Sequence, residues 1–108
     1  MNDDDEDRDV HEGGQRLDKW LWHARFARTR TAAARLVTDG FVRINAKREL
    51  TSARRVRKGD VLTLSVGRDI LVVRLRGFAD RRGPAPEARL LYETVESPPA
   101  HPSDPLPK

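Results

Sequence analysis

The chain has 108 residues, a formal net charge of +4 and 35% charged against 37% hydrophobic residues. This length suits one small domain with a modest core and is too short for a catalytic domain beside a substrate domain. The absence of cysteine excludes disulfides, thiolate metal ligands and a cysteine nucleophile. No apolar run of about 18 residues occurs and the N-terminus lacks a signal-peptide pattern, so we expect a cytoplasmic protein without a membrane-spanning segment.

Charge is strongly segregated along the chain. Residues 1–15 carry seven acidic residues and one arginine, whereas residues 16–97 carry nineteen lysines and arginines against nine acidic residues. Composition predicts a disordered acidic tail over residues 1–14 and an extended tail over residues 98–108, which hold five of the seven prolines. We expect the part between the tails to be a basic binding domain.

The first predicted element is a helix over residues 17–27. Four apolar residues recur at i, i+3, i+4 and i+7 and form one face: Leu17, Trp20, Leu21 and Ala24. We expect this face, including Trp20, to lie in the domain's own core.

A second helix is predicted from residue 30 to about residue 38. Thr29 is suited to its N-cap, because the hydroxyl can accept from a backbone N–H that has no helical partner. Gly40 suits the left-handed position that follows a helix end. Only two or three residues separate the predicted helices, so we expect a tight helical hairpin.

The hydrophobic period then changes to that of strands. Alternating or β-branched segments predict strands at 41–45, 61–66 and 70–75. After a basic loop at 81–86, a final helix is predicted from residue 86 to about residue 95. The fold class is therefore α+β, with a helical hairpin on a small, mostly antiparallel sheet and a C-terminal helix.

Basic residues cluster around the predicted hairpin and the first strand. Those on the helices and their joint are Arg16, Lys19, Arg25, Arg28, Arg30 and Arg35, and those on or after the strand are Arg43, Lys47 and Arg48. A guanidinium donates two parallel hydrogen bonds to a phosphate and can stack on a base. A solvated charged face is the alternative interpretation, but the positive excess over residues 16–97 favours a nucleic-acid-binding surface.

Asp18 lies among these arginines in the first turn of the first predicted helix. A carboxylate at this position is favourable with the helix dipole. It is also placed to hold Arg16 or Arg25 in an orientation suited to binding. We therefore include Asp18 in the candidate site.

Trp22 and Phe26 form a second apolar stripe, on the other side of the first predicted helix. They could stack on exposed bases. Alternatively, the predicted C-terminal helix covers them through Leu90, Leu91 or Tyr92. We favour the second interpretation, because an exposed Trp–Phe pair would leave a costly apolar patch in water.

Residues suited to catalysis are sparse. The histidines are scattered, and the sequence shows no Ser-His-Asp grouping, paired carboxylates or metal-ligand spacing. We therefore expect a protein that is not an enzyme and needs no cofactor or metal. In the basic loop, Arg81 and Arg82 are candidates for auxiliary phosphate contacts.

Residues 15–66 resemble the RNA-binding domain named after ribosomal protein S4, also called the αL motif. The marks of the resemblance are Arg16-Leu17-Asp18-Lys19, Thr29-Arg30, Gly40, Val42, Asn45 and Gly59-Asp60. The resemblance implies contacts to structured RNA through the helical hairpin and the following strand. The positions it points to are Arg16, Asp18, Lys19, Arg25, Arg28, Arg30, Arg35 and Arg43.

The stretches DKWLWHARFARTRTAA and RRGPAPEARLLYE are similar to the ribosome-associated heat-shock protein 15 family. From this likeness we expect residues 67–97 to form a family-specific part with a strand, a basic loop and a C-terminal helix. The likeness implies a free-standing bacterial protein that binds the large ribosomal subunit when a nascent chain remains attached after subunit splitting. We accordingly expect a monomer that docks on large-subunit rRNA, with tRNA or a nascent-chain complex as further partners.

One position departs from the family pattern. The turn after Asn45 has Ala46 where the family usually has glycine. Because alanine tolerates positive φ poorly, we expect this turn to differ in type or length.

Two other functions remain open from the sequence. Domains of this kind also occur on pseudouridine synthases, RNA methyltransferases and tyrosyl-tRNA synthetases, so the chain could be an RNA-binding accessory domain that acts with a partner. Two helices joined by a tight turn also resemble a helix-turn-helix, which keeps weak DNA binding as an alternative.

Overall fold

The computed structural model describes residues 14–95, so the two predicted tails, apart from Gly14, lie outside the described residues. The elements in chain order are β1 (Gln15–Arg16), α1 (Leu17–His23), α2 (Arg30–Thr38), β2 (Val42–Ile44), β3 (Lys47–Arg48), β4 (Arg55–Val56), β5 (Val61–Val66), β6 (Asp69–Leu75), α3 (Ala85–Ala88), a 3₁₀ turn (Arg89–Leu91) and β7 (Tyr92–Thr94).

The strands form two antiparallel sheets. The larger one has five strands in the order β3-β2-β5-β6-β7, and β1 pairs with β4 in a separate two-stranded ribbon. Alternate residues of the large sheet are buried against α1 and α2; they are Val42, Ile44, Leu62, Leu64, Val73 and Leu75. The predicted α+β class, with a helical hairpin on a mostly antiparallel sheet, is confirmed.

The predicted apolar face of α1 lies in the core. Leu17, Trp20 and Leu21 are fully buried, and they pack in one cluster with Ala33 and Val37 of α2. The indole N–H of Trp20 donates to the Gly77 carbonyl at 3.0 Å, so its polar atom is satisfied inside the protein. Trp20 is a core residue, as the spacing predicted.

The first helix ends at His23, earlier than the predicted end at residue 27. Arg25 adopts φ +68°, which no α-helix accommodates. Its N–H donates to the Trp22 carbonyl at 3.0 Å, and the Phe26 N–H donates to the Leu21 carbonyl at 2.9 Å. This bonding pattern is a Schellman motif with arginine at the position that usually holds glycine.

The second helix matches its predicted boundaries and caps. The Thr29 hydroxyl accepts from the Ala32 N–H at 3.0 Å, and Gly40 follows the helix end at φ +89°. A second Schellman motif joins Gly40 to Val37 at 3.0 Å and Phe41 to Leu36 at 2.9 Å. Residues 24–29 separate the helices, a longer joint than predicted.

The predicted C-terminal helix is wrong beyond its first turns. The chain is helical from residue 85 to residue 91 and then extends into β7, which pairs with β6. Tyr92 and Thr94 are residue types that favour strands, and β6 offers them unpaired backbone groups. Pairing with the sheet edge therefore outweighs the local helical pattern.

Glu93 fastens this last strand to β6. Its carboxylate accepts from Arg74 at 3.0 Å and from Arg76 at 2.7 Å. The hydrogen bond from Arg74, followed by that from Arg76, lowers the pKa of Glu93 below its ordinary value. The contribution to stability is thus present above that ordinary pKa and is lost as the pH falls through the lowered one. This contribution to stability is small, because the contacts between Glu93 and the two arginines are exposed to solvent.

The turn between β2 and β3 keeps a two-residue loop. Ile44 pairs with Lys47, and the two residues between them adopt φ +51° at Asn45 and φ +76° at Ala46. These angles correspond to the type I′ turn that suits a hairpin twist. The expected change of turn type or length is therefore wrong, and the alanine accepts the left-handed conformation instead. The Asn45 side chain holds the turn by accepting from the Val61 N–H at 3.0 Å.

We predict that Ala46→Gly raises the free energy of unfolding by about 1 kcal/mol, because glycine adopts the left-handed conformation without steric cost. Urea denaturation followed by circular dichroism measures this change. The matched control is Ala53→Gly, an exposed alanine whose φ is not positive, which should lose stability. Equal losses in both variants would contradict the turn geometry.

Candidate nucleic-acid interface

A buried carboxylate lies at the centre of the basic helical surface. The Asp18 side chain is 5% exposed, and it accepts from Arg16 Nε at 3.1 Å and from Arg16 Nη2 at 2.9 Å. Arg30 Nη2 lies 3.7 Å from Asp18 Oδ1. Of the two contacts expected for Asp18, the one with Arg16 is present, Arg25 instead contacts the Gly83 carbonyl, and Arg30 is the second partner of Asp18. We call Arg16, Asp18 and Arg30 the Asp18 cluster.

Backbone contacts hold the Asp18 cluster in place. The N–H of Leu17 donates to the Arg54 carbonyl at 2.8 Å, and the N–H of Asp18 donates to the Ser52 carbonyl at 3.1 Å. These bonds satisfy two N–H groups at the start of α1 and bring the loop after β3 against it. Arg30 is the first residue of α2, so the cluster joins the starts of both helices.

The two guanidiniums of the cluster remain partly accessible. The side chains of Arg16 and Arg30 are 30% and 35% exposed, and they carry two positive charges around one negative charge. Arg28 in the helix joint and Arg35 on α2 are exposed, and neither forms a salt bridge within residues 14–95. The hairpin therefore presents a net positive face with two of its arginines held in fixed orientations.

Lys19 does not lie on the exposed part of this face. It is 6% exposed, and α1 is buried at every position except Trp22. Helical spacing alone does not predict this burial, because elements other than the large sheet also contact this helix. The loop after β3 bonds to its start, and the segment after β6 bonds to Trp20.

Arg25 and Arg82 tie the basic loop to the end of α1. Arg25 Nε donates to the Gly83 carbonyl at 2.9 Å. In the other direction, Arg82 Nε donates to the Trp22 carbonyl at 3.0 Å and its Nη2 donates to the Ala27 carbonyl at 3.3 Å. A cation at these carbonyls also complements the negative end of the helix dipole. Arg82 thus caps α1, a role that no local signal indicated, whereas Arg81 is exposed.

The second aromatic stripe is partly covered, as the favoured interpretation predicted. The Phe26 ring lies 4.9 Å from the Tyr92 ring and 6.0 Å from the Trp20 ring, measured between centroids. The covering residue belongs to a strand rather than to the predicted helix. Trp22 is also half-buried against the core, with its ring 5.3 Å from that of His23.

The remaining basic residues of the predicted site lie on the hairpin of β2 and β3, and the Arg48 side chain reaches the end of α2, with its Nε 3.8 Å from the Cβ position of Gly40. Arg43 stands directly opposite Arg48 in the antiparallel pair, and Lys47 stands opposite Ile44. Because Val42 and Ile44 point into the core, Arg43 and Arg48 belong to the other face of the sheet. Neither has an acidic partner among the described residues. Two like charges opposite one another destabilise a sheet unless an anion lies between them.

The described residues contain no group of three or more histidines and acidic residues placed to hold a metal ion. Within residues 14–95, no helix is long and apolar enough to cross a membrane.

Comparison with known proteins agrees with this architecture. Residues 15–62 match the model of the S4 domain. The chain is 42% identical over 82 residues to the heat shock protein 15 homolog of Haemophilus influenzae. It is 45% identical over 83 residues to heat shock protein 15 of Escherichia coli. Each alignment covers 76% of this chain and 62% of the relative, so the chain spans less than two thirds of these curated relatives.

A solved structure shows the same fold. The trimeric structure of Vibrio cholerae heat shock protein 15 matches with a TM-score of 0.72 and 40% sequence identity. The match covers 75% of this chain and 81% of that one. With the helical hairpin, the antiparallel sheet and the S4 domain in place, the chain belongs to the heat shock protein 15 family.

Proposed function

We propose that this chain is a non-catalytic RNA-binding protein that docks on rRNA of the large ribosomal subunit, in stalled or recycled nascent-chain complexes. The observation that carries the proposal is the Asp18 cluster, in which one buried carboxylate orients two partly exposed arginines. A pre-oriented guanidinium loses less freedom when it binds a phosphate. The S4 domain match and the heat shock protein 15 relatives support the same function.

The first contact surface consists of Arg16, which directly precedes α1, Arg28 in the helix joint, and Arg30 and Arg35 on α2. Arg25, whose Nε is held by the Gly83 carbonyl, borders this surface. The pair formed by Arg43 and Arg48 is the second contact surface, and a phosphate between its two guanidiniums would remove their repulsion. Lys47 pairs with Ile44 and therefore belongs to the opposite face of this strand pair.

Structured RNA fits this arrangement better than duplex DNA. The major groove of an A-form helix is closed to side chains, so its recognition rests on shape, phosphates and 2′-hydroxyls. The first helix offers no free face for a groove, since α1 is buried on most sides, and the proposed surfaces present guanidiniums that suit phosphates. Competition between RNA and DNA hairpins of matched sequence tests this choice, and tighter binding of the DNA would exclude it.

We predict that Arg16→Ala and Arg30→Ala each weaken RNA binding and reduce the slope of log K against log salt by about one unit, because each arginine meets about one phosphate. Fluorescence anisotropy between about 50 and 200 mM salt measures the slopes. The matched control is Arg89→Ala, an exposed arginine outside both surfaces, whose slope should stay at the wild-type value. Wild-type slopes in folded Arg16 and Arg30 variants would remove these residues from the interface.

The variant Asp18→Asn tests whether RNA binding depends on the orientation of Arg16 and Arg30 or only on the net positive charge of the surface. The substitution raises the net positive charge by one, so a purely electrostatic surface would bind RNA more tightly. We predict weaker binding, because the asparagine cannot hold both guanidiniums as the carboxylate does. Affinity is compared at one salt concentration, with thermal melting to confirm that the variant is folded. Tighter binding by the folded variant would show that Asp18 does not position the arginines.

The ribosomal partner is tested by crosslinking the chain to RNA in cells and sequencing the attached fragments. We expect large-subunit rRNA to dominate, with tRNA second. Enrichment of mRNA or small-subunit rRNA would contradict the proposed docking site. We also propose that the chain acts as a monomer, unlike the trimeric Vibrio cholerae structure. Light scattering of the full chain of 12.3 kDa distinguishes one copy from three.

A further inference from the structure

A groove beside the proposed helical surface has the features of a site for a base. It has a volume of about 320 Å³ and runs along α2 from Thr29 and Thr31 to Phe41. This volume falls at the lower end of the range of about 300–1,000 Å³ that is usual for small-molecule sites. Its apolar lining includes Ala32 and Leu36.

Phe41 lines the groove, and two hydrogen bonds hold its backbone in place. Its N–H donates to the Leu36 carbonyl at 2.9 Å, and its carbonyl accepts from the Ser65 N–H at 3.0 Å. Both backbone groups are thus satisfied, yet the residue is 47% exposed. A contact between Phe41 and Leu36 is usual in a Schellman motif, but any apolar side chain would supply it. An aromatic ring fixed at its backbone and open to solvent is suited to stacking on a base.

The polar residues of the groove point to a base that carries N–H donors. Asp39, in the C-cap position of α2, lines the groove and forms no salt bridge within the described residues. An acidic residue at a helix C-terminus is unfavourable with the helix dipole, so its presence calls for a compensating partner. The two oxygens of a carboxylate match the two adjacent N–H donors, N1 and N2, on the Watson–Crick edge of guanine.

The groove is continuous with the proposed RNA surface. Thr29 and Thr31, which line its first end, flank Arg30 of the Asp18 cluster. Arg35 lines it in the middle and is exposed, without a salt bridge to another described residue. A nucleotide in this groove could place its phosphate at Arg35, stack its base on Phe41 and direct the hydrogen-bonding edge of the base to the carboxylate of Asp39.

Building on the proposed RNA binding, we propose that this groove binds one unpaired guanine of the RNA. Phe41 stacks on the base, Asp39 accepts hydrogen bonds from its N1 and N2 groups, and Arg35 contacts the adjoining phosphate. The site gives the chain a preference for RNA in which a guanine is displaced from a helix beside the phosphates held by Arg16 and Arg30.

The test compares four single-stranded RNAs bound to the full chain: nine uridines, and the same oligomer with a central guanosine, adenosine or inosine. Inosine keeps N1–H and lacks the N2 amine, so it isolates one hydrogen bond. We expect the guanosine oligomer to bind roughly five- to a hundred-fold more tightly than the uridine oligomer, with inosine between them. Equal affinity for all four would overturn the proposal.

Three variants assign the preference to this groove. Phe41→Leu, which keeps an apolar side chain, should reduce the advantage of guanosine, and Asp39→Ala, which removes both acceptor oxygens, should abolish the difference between guanosine and inosine. Leu90→Ala, at another exposed apolar residue outside the groove, is the matched control and should change neither ratio. Unchanged ratios in folded Phe41 and Asp39 variants would place the preference elsewhere and overturn the proposal.

The outcomes also separate this proposal from the function on which it rests. If the chain binds the oligomers with the expected salt slope but without a guanosine preference, RNA binding stands and the guanine site falls. If no RNA binds at all, both fall. If Phe41→Leu instead disrupts binding of a protein partner while the oligomer affinities are unchanged, the groove is a protein-binding site and the guanine proposal is wrong.

Discussion

The Asp18 carboxylate links the fold to the binding surface. A buried carboxylate without partners is strongly unfavourable, and here the partners are Arg16, which precedes α1, and Arg30, which begins α2. The same contacts that satisfy this charge therefore hold the starts of the two helices together and orient two guanidiniums. Loss of one arginine would leave the carboxylate under-compensated. A substitution of Arg16 or Arg30 therefore affects the packing of the helical hairpin as well as the basic surface.

Local signals in the sequence predicted those parts of the fold that depend on neighbouring residues. The apolar spacing of α1, the Thr29 cap and the left-handed Gly40 each depend on contacts within one or two helical turns. The strand β7 did not follow from such signals, because its conformation is decided by the open edge of β6. The end of α1 depends likewise on Arg82, which is distant in sequence and donates to carbonyls at that end.

The candidate site was predictable as a set of residue types, but its grouping was not. Helical spacing puts Lys19 away from the apolar face of α1, yet Lys19 is buried because other parts of the chain cover this helix. The pairing register, which alternation alone leaves undetermined, places Arg43 and Arg48 on the sheet face away from the helices. Asp39 and Phe41 drew no attention in the sequence, because an acidic residue and a phenylalanine near a helix end are unremarkable until the groove between them is seen.

The locally unfavourable features of this chain lie at or beside its proposed contact surfaces. Arg25 and Ala46 adopt left-handed conformations that glycine would adopt without cost, Arg43 opposes Arg48, and Asp39 lies at the negative end of a helix. Arg25 has a structural role, since its Nε donates to the Gly83 carbonyl, whereas Arg43, Arg48 and Asp39 form no salt bridge within residues 14–95. An RNA ligand accounts for the two electrostatic features, because phosphates neutralise facing guanidiniums and a base can supply N–H donors to a carboxylate. The left-handed turn at Ala46 also shapes this surface, because the length of the turn fixes the strand register that places Arg48 opposite Arg43.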